Sequence, residues 1–125
     1  MTQENSNQLL LKDLCVRLPY HIRVKVWLKD GTTEEGTLDL KHNYGDVLRD
    51  AFYYNKIVKI KPYLFPMSSM TETQKNEYQY ITERWMYDSS YSISDSIDWL
   101  NKNYFDYRGL IEKSLALDAT GLNIY

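Results

Sequence analysis

The sequence contains few of the residues that build metal centres and disulfides. Its single cysteine is Cys15, and its two histidines, His21 and His42, are well separated from it and from each other. A structural zinc site usually takes its Cys and His ligands in pairs about two to four residues apart, and the sequence has no such pair. One cysteine also excludes an intramolecular disulfide, which favours a reducing compartment. We therefore predict no metal, no cofactor and a cytoplasmic location, with Cys15 buried among leucines and inert.

Motifs for covalent catalysis are also missing. The sequence has no G-x-S-x-G or S-x-x-K motif that would activate a serine, and its five glycines stand singly, so no glycine-rich loop cradles a phosphate. Glu34 and Glu35 are adjacent in a predicted strand, where neighbouring side chains point to opposite faces and cannot share a substrate. We predict that the protein is not an enzyme and has no catalytic residues.

No hydrophobic run is long enough to span a membrane. The most apolar N-terminal stretch, QLLLKDLCVRL, is interrupted by Lys12, Asp13 and Arg17. The net charge of −2 gives no global basic field, although residues 1–65 carry ten Lys/Arg and eight Asp/Glu, and residues 66–125 carry five and nine. We predict no membrane partner, and nucleic acid stays possible through a local basic surface.

The sequence is rich in tyrosine, with twelve in 125 residues. Tyrosine combines a large apolar ring with a polar tip and has few rotors to freeze, so it is favoured at contact surfaces. We predict a non-catalytic binding protein whose partner is a protein. The alternatives are a small nucleotide-like ligand, sequestered in a tyrosine-rich cleft, and nucleic acid bound through the β-strands. The sequence does not predict an oligomeric state.

Periodicity predicts an α+β fold in a single domain, residues 1–125. Leucines at helical spacing predict an N-terminal helix over residues 9–18, which ends before Pro19. Alternating apolar residues in HIRVKVWL and the DG turn that follows predict a strand and a hairpin. The predicted strands after the hairpin cover residues 33–40, 47–54 and 56–61. We expect the β module, residues 20–61, to be a small antiparallel SH3-like or barrel-like sheet.

Two or three helices are predicted to pack on that sheet from the remaining residues, 69–120. A capping box of the Ser-x-x-Glu type, SMTE, predicts a helix over residues 70–86. A second helix begins near Ser92 and carries isoleucines on its apolar face. A third, short helix is predicted over residues 110–117, before Gly121 stops it.

The first candidate binding site lies on the first predicted strand. Trp27 falls on the polar face together with Arg23 and Lys25. An aromatic ring flanked by cations can stack on the base of a single-stranded nucleic acid, and it can also pack across strands or contact a protein partner. The residue pattern leaves these uses open.

The second candidate site lies near the end of the sequence. Residues 99–107 hold four aromatic side chains, and Arg108 follows them directly. Aromatic and arginine side chains dominate the energetics of small interfaces, so Tyr104, Tyr107 and Arg108 are candidates for contacting a partner or ligand. The alternative is that this segment completes the core, which we favour for Trp99 and Phe105.

The stretch VKVWLKDGTTEEGTLDLKHNYGDVL, residues 24–48, resembles the first signature of Sm-like RNA-binding barrels. The matching residues are Gly31, Gly36, Thr37 and Leu38. His42 stands where that family has a loop aspartate, a Gly-Asp pair replaces its Met-Asn pair, and its second signature is missing. The absent residues are those that contact a base in the family. The resemblance therefore implies barrel-type β structure more than RNA binding.

Three blocks of the sequence, LLLKDLCVRLPY, KPYLFPMSSMTE and DWLNKNYFDYRGLIEKSLALDATG, resemble segments that recur together in another family. Its members are small uncharacterised proteins of gut Bacteroidetes and their phages and prophages. The blocks cover 48 of the 125 residues. The resemblance implies a small cytosolic protein of a bacterial host cell, carried on phage or other mobile DNA. It supplies no catalytic or binding residues.

Overall fold

The N-terminal helix begins earlier than the leucine pattern predicts. The computed structural model describes residues 2–38, 57–84, 86–88, 90 and 92–125. Helix α1 (Gln3–Arg17) begins after Thr2, whose hydroxyl accepts a hydrogen bond of 3.1 Å from the backbone N–H of Asn5. A turn of 3₁₀ helix (Leu18–Tyr20) follows it at the predicted proline. The sequence prediction missed the first turns because their side chains are polar.

The buried face of α1 differs from the one predicted. Asp13 and Arg17, which fall largely off the face that the leucines form, are fully buried. Leu11 is 63% exposed, and Cys15 is exposed rather than buried among leucines. The helix is rotated in this way because its charged pair finds partners inside the protein, as described below. The side chains of α1 that pack against the core are Leu9, Leu10 and Leu14.

A mixed sheet forms the second layer of the fold. Strand β1 (Ile22–Leu28) and strand β2 (Thr33–Leu38) make the predicted antiparallel hairpin, in which Ile22 pairs with Leu38. Gly31 adopts a φ of +87° in the turn, a conformation that glycine tolerates. The alternating residues of β1 point inward and are fully buried, as the sequence predicted; they are Ile22, Val24 and Val26.

Strand β3 is longer than predicted and lies at the centre of the sheet. It covers Ile57–Pro66 and pairs antiparallel with β1, with Val24 opposite Pro62. We expected the strand to end before Pro62, but a proline removes only the hydrogen bond that its missing N–H would donate. The predicted end of this strand at residue 61 was therefore wrong.

The sheet is open and not purely antiparallel. Its strand order is β2-β1-β3-β4, and both β4 (Phe105–Asp106) and β5 (Leu117–Asp118) pair parallel with β3. The α+β class is confirmed, whereas the described strands do not close into the barrel that we expected. The two short parallel strands come from the part predicted to be helical. Sequence patterns gave no sign of them because each contains only two residues.

Two further helices follow the sheet. Helix α2 (Glu72–Arg84) begins with a capping box between Thr71 and Gln74, slightly later than the predicted one. Helix α3 (Ile93–Lys102) begins with a capping box between Ser92 and Asp95. The isoleucines expected to face the core, Ile93 and Ile97, are 62% and 42% exposed, so that expectation was wrong.

The third helix, predicted over residues 110–117, is replaced by turns and by the first residue of β5. The carboxylate of Asp106 accepts hydrogen bonds from the backbone N–H groups of Leu110 and Ile111, at 2.8 and 2.9 Å, and fixes the first of these turns. None of the helices in the described ranges is long and apolar enough to cross a membrane. The strand predicted over residues 47–54 and His42 lie outside the described residues.

Candidate functional site

The outer face of the sheet carries the first predicted site. Since Ile22, Val24 and Val26 face the core and α1, the alternate residues of β1, namely Arg23, Lys25 and Trp27, face outward. This confirms that the three residues share one face. The ring of Trp27 is half-buried there.

Strand β3 brings two more lysines to the same tryptophan. Trp27 lies opposite Lys59, and Lys25 lies opposite Lys61. The ammonium groups of Lys25, Lys59 and Lys61 lie 5.5, 4.6 and 5.6 Å from the centroid of the Trp27 ring, within the range of cation–π attraction. We call Trp27, Lys25, Lys59 and Lys61 the tryptophan–lysine cluster.

The three lysines of the tryptophan–lysine cluster differ from Arg17 and Arg108 in their ion pairing among the described residues. None of its three ammonium groups forms an ion pair with a carboxylate in the part of the chain that the structure describes. Partial burial, and then the charge of Lys59, lower the pKa of the Lys61 ammonium. Three cations are therefore crowded around one ring, and an anion placed among them would relieve their mutual repulsion.

A tyrosine–glutamate contact limits the cluster on one side. Glu35 lies opposite Lys25 on β2, but its carboxylate accepts a short hydrogen bond from the hydroxyl of Tyr63. Burial, together with this hydrogen bond and the negative charge of Glu35, raises the pKa of Tyr63 to about 12. The nearest acidic residue of β2 is thus engaged with a neutral phenol.

Arg23 lies at the far end of the outer face, away from Trp27. Its Nη1 donates a hydrogen bond of 3.2 Å to the hydroxyl of Thr37. Its backbone N–H donates to the hydroxyl of Tyr125, which in turn donates to the carbonyl oxygen of Tyr63 at 2.7 Å. The structure therefore brings Lys25 and Trp27 together with two lysines of β3, and places Arg23 in a separate set of hydrogen bonds.

The second predicted site faces inward. Arg108 donates hydrogen bonds of 3.0 Å to a carboxylate oxygen of Asp13 and to the hydroxyl of Tyr107. The same Tyr107 hydroxyl donates to Oδ1 of Asn101 at 2.8 Å. Each of these polar groups has a partner within the protein, so Tyr107 and Arg108 connect the segment after α3 to α1.

Arg17 and Asp13 complete this inner network. Nε of Arg17 donates to Asp13 at 2.8 Å, and its Nη2 donates to the carbonyl oxygen of Phe105 at 2.6 Å. The guanidinium groups of Arg17 and Arg108 lie 5.4 and 4.8 Å from the centroid of the Tyr107 ring. We call Asp13, Arg17, Tyr107 and Arg108 the buried ion network.

Tyr104 is also held by contacts within the protein. It has a φ of +63°, which is unusual for a bulky residue, directly after the end of α3. Its ring stacks on that of Tyr125 with 3.6 Å between centroids, and its hydroxyl donates a short hydrogen bond to the carbonyl oxygen of Tyr20. Burial raises the pKa of Tyr104. Phe105 belongs to the core, as we favoured, and stacks on the half-buried Trp99.

Sequence reasoning missed Lys59, Lys61, Asp13 and Arg17 as partners of the candidate residues. The alternation in KIVKIKP was sufficient to place Lys59 and Lys61 on one face of a strand. It did not predict which strand they would pair with, or that the register would set Lys59 opposite Trp27.

No group of three or more His, Cys, Asp or Glu side chains in the described part of the chain is placed to hold a metal ion. Comparisons with protein-family models, with curated proteins and with solved structures find no match to this chain.

Proposed function

We propose that this protein is a non-catalytic nucleic-acid-binding protein and that the tryptophan–lysine cluster is its contact surface. The observation that carries the proposal is the convergence of three ammonium groups on one half-buried tryptophan ring, from two adjacent strands. Nucleic acid offers both of the groups that such a surface attracts, namely phosphates for the lysines and base rings for the tryptophan.

Electrostatics supports an anionic ligand at this surface. The lowered pKa of Lys61 reflects a site where positive charge is crowded and partly desolvated. A phosphate near Lys59 and Lys61 would replace repulsion between them with attraction to a shared anion. The sequence alone favours a protein partner, and the position of the two β3 lysines is our reason for proposing nucleic acid instead.

The acidic balance of the whole chain does not oppose this proposal. The net charge is −2, but exposed charges act over about 8 Å at physiological ionic strength. A phosphate at the outer face therefore experiences mainly the nearby lysines. A weak overall field implies that binding begins without strong long-range attraction, and that affinity arises from direct contact.

The inward-facing aromatic segment gives less support to a protein partner. Tyr104, Tyr107 and Arg108 were the candidates for contacting such a partner, and their polar groups bond within the protein. A cytoplasmic location and an origin on phage or mobile DNA, which the family resemblance implies, remain part of the proposal.

Removal of the two β3 lysines tests the proposal. We expect the wild-type protein to bind a fluorescently labelled 12-nucleotide strand, with an affinity that falls as salt is raised. Each lysine that contacts a phosphate of a single strand contributes about −0.7 to the slope of log K against log salt. We therefore expect the double variant Lys59→Ala/Lys61→Ala to bind more weakly and to reduce that slope by about 1.4.

A matched control separates local contact from net charge. The variant Lys12→Ala/Lys75→Ala removes the same charge from exposed positions on α1 and α2, away from the sheet. It should bind like the wild type. Equal losses in both double variants, or wild-type binding that does not respond to salt, would contradict the proposal. Thermal unfolding of each variant checks that the fold is retained.

A further inference from the structure

We infer that the ligand of the tryptophan–lysine cluster is an unpaired strand, one base of which stacks on Trp27 while the lysines hold the adjoining phosphates. This inference rests on the proposed function, and it specifies which form of nucleic acid the site accepts. It also gives Trp27 a role of its own, which the charge argument alone does not require.

The position of the tryptophan ring favours a flat ligand. Trp27 projects from the outer face of the sheet, and three ammonium groups lie within 5.6 Å of its ring centroid. Lys59, the nearest, is itself exposed and can move aside. A base has a π-face of its own, so it can replace an ammonium group over the indole and make a larger contact.

The lysines are placed around the ring in a way that suits a continuous strand. Lys25 and Lys61 face each other across neighbouring strands, which lie about 4.8 Å apart. Lys59 is two residues along β3, a separation of about 7 Å between backbone positions. Cations therefore lie on more than one side of Trp27. A base stacked there would have a lysine near the phosphate that precedes it and near the one that follows it.

A double helix does not fit the same surface. Its bases are stacked on one another and paired, so that only their edges are accessible within the grooves. In contrast to a helix or a β-ribbon that enters the major groove, the ring of Trp27 stands on a sheet face between two other strands. A duplex could contact the lysines through its phosphates, but it could not offer a ring to the tryptophan without extruding a base.

Three labelled ligands of equal length test the inference: a 12-nucleotide DNA strand, the same backbone without bases, and the 12-base-pair duplex. With the full-length protein we expect the base-bearing strand to bind about 5- to 150-fold more tightly than the abasic strand, the range reported for stacking of one base. The duplex should also bind more weakly than the single strand. These three measurements require no substitution and do not depend on the stability of a variant.

Two substitutions test whether the ring of Trp27 causes the preference for the base-bearing strand over the abasic strand. Trp27→Leu should bind the base-bearing and abasic strands equally, whereas Trp27→Phe should keep a preference of at least about threefold, since phenylalanine also stacks. Loss of the preference in both variants, or its persistence in Trp27→Leu, would overturn the inference. Equal binding of all three ligands by the wild-type protein would overturn it too, but would leave the proposed function intact.

The remaining outcomes are also decisive. If none of the three ligands binds, the proposed function fails and the inference fails with it. If a mononucleotide binds as tightly as the 12-nucleotide strand, the surface holds a small ligand, and the inference of a continuous strand is overturned. If the duplex binds most tightly, the lysines contact phosphates and no base stacks on the tryptophan. The inference is then overturned, and the proposed function is retained.

Discussion

Two clusters of this protein each place aromatic rings beside cationic side chains, but they differ in whether a carboxylate pairs with the cations. In the buried ion network, Arg17 and Arg108 share the carboxylate of Asp13 and flank the ring of Tyr107. In the tryptophan–lysine cluster, the ammonium groups around Trp27 have no ion pair with a described carboxylate. The two clusters therefore differ in the partners of their cations.

The choice of cation agrees with this difference. Arginine has a planar group with several fixed donors, so it can bind a carboxylate, a carbonyl oxygen and a ring at once inside a protein. Arg17 does all three. Lysine is a compact and strongly hydrated charge on a flexible stem, which suits a surface where the ligand comes and goes. The arginines of the buried ion network therefore suit a role in the fold, and the lysines of the tryptophan–lysine cluster suit the contact surface that we propose.

The largest expected effect on stability comes from removing the carboxylate of Asp13 from the buried ion network. Asp13→Asn would leave Arg17, which is fully buried, without its carboxylate. Breaking one side of a buried ion pair destabilises a protein by about 3–5 kcal/mol. We expect a loss of this size in the free energy of unfolding, measured by urea denaturation at neutral pH.

A compensated double variant sharpens this prediction. Asp13→Leu/Arg17→Met replaces both charges with apolar side chains of similar size, and such replacements of buried pairs are often close to neutral. Nη1 of Arg17 has no hydrogen-bond partner among the described residues, so the native pair does not fully offset the desolvation of its charges. The double variant should be more stable than Asp13→Asn. The opposite order would show that Asp13 and Arg17 matter for more than mutual neutralisation.

The next effect in size tests whether the inner cluster is also a binding site. Tyr107→Phe removes a hydroxyl that joins Arg108 to Asn101 but keeps the ring between the two guanidinium groups. Loss of a hydrogen-bonded, partly buried hydroxyl costs about 1–2 kcal/mol. We expect this decrease in the free energy of unfolding, with unchanged affinity for the 12-nucleotide strand.

The reverse result would restore the hypothesis drawn from the sequence. If Tyr107→Phe kept full stability and lost affinity, the closing aromatic segment would contact the ligand, and the comparison between an inner and an outer cluster would fail. Lys59→Ala/Lys61→Ala is the matched counterpart. It should lower affinity and leave stability within about 0.5 kcal/mol of the wild type, because neither lysine forms an ion pair with a described carboxylate.

The sequence predicted the parts of the fold that depend on local pattern. The β1–β2 hairpin follows from the alternation of apolar and polar residues and from an Asp-Gly turn, and the start of α3 follows from a serine N-cap. The outward position of Trp27 follows from the same alternation. These features depend on neighbours within a few residues, which the sequence displays directly.

What the sequence could not predict depends on contacts between distant segments. The predicted buried face of α1 was wrong because the spacing of leucines does not reveal contacts with distant residues. Asp13 accepts a hydrogen bond from Arg108, and Arg17 donates one to the carbonyl oxygen of Phe105, near the other end of the chain. For the same reason the sequence did not predict that Lys59 lies opposite Trp27, or that two-residue strands pair in parallel with β3. The candidate site was thus half predicted, with its β1 side chains identified and its β3 side chains missed.

The smallest effect at neutral pH concerns the tyrosine that separates the outer cluster from the nearest acid. The pKa of Tyr63 is raised to about 12, from 10.0 in an unperturbed phenol. Its contribution to stability is complete below about pH 10 and is lost as the pH rises towards 12, because the unfolded chain ionises first. We expect Tyr63→Phe to reduce the fall in unfolding free energy between pH 10 and 12, and to leave its pH dependence between 7 and 9 unchanged.

Tyr20 provides the comparison for that measurement. Its hydroxyl donates a short hydrogen bond to Asp98, and this bond raises its pKa to about 12 as well, at a site between α3 and the end of α1. Tyr20→Phe should also reduce the fall in unfolding free energy between pH 10 and 12. The reductions caused by Tyr20→Phe and Tyr63→Phe should be additive because the two sites have no common partner. A wild-type slope in Tyr63→Phe would mean that Glu35 does not depend on this phenol. Glu35 would then be able to form an ion pair with Lys25, which lies opposite it, and the tryptophan–lysine cluster would contain a paired cation.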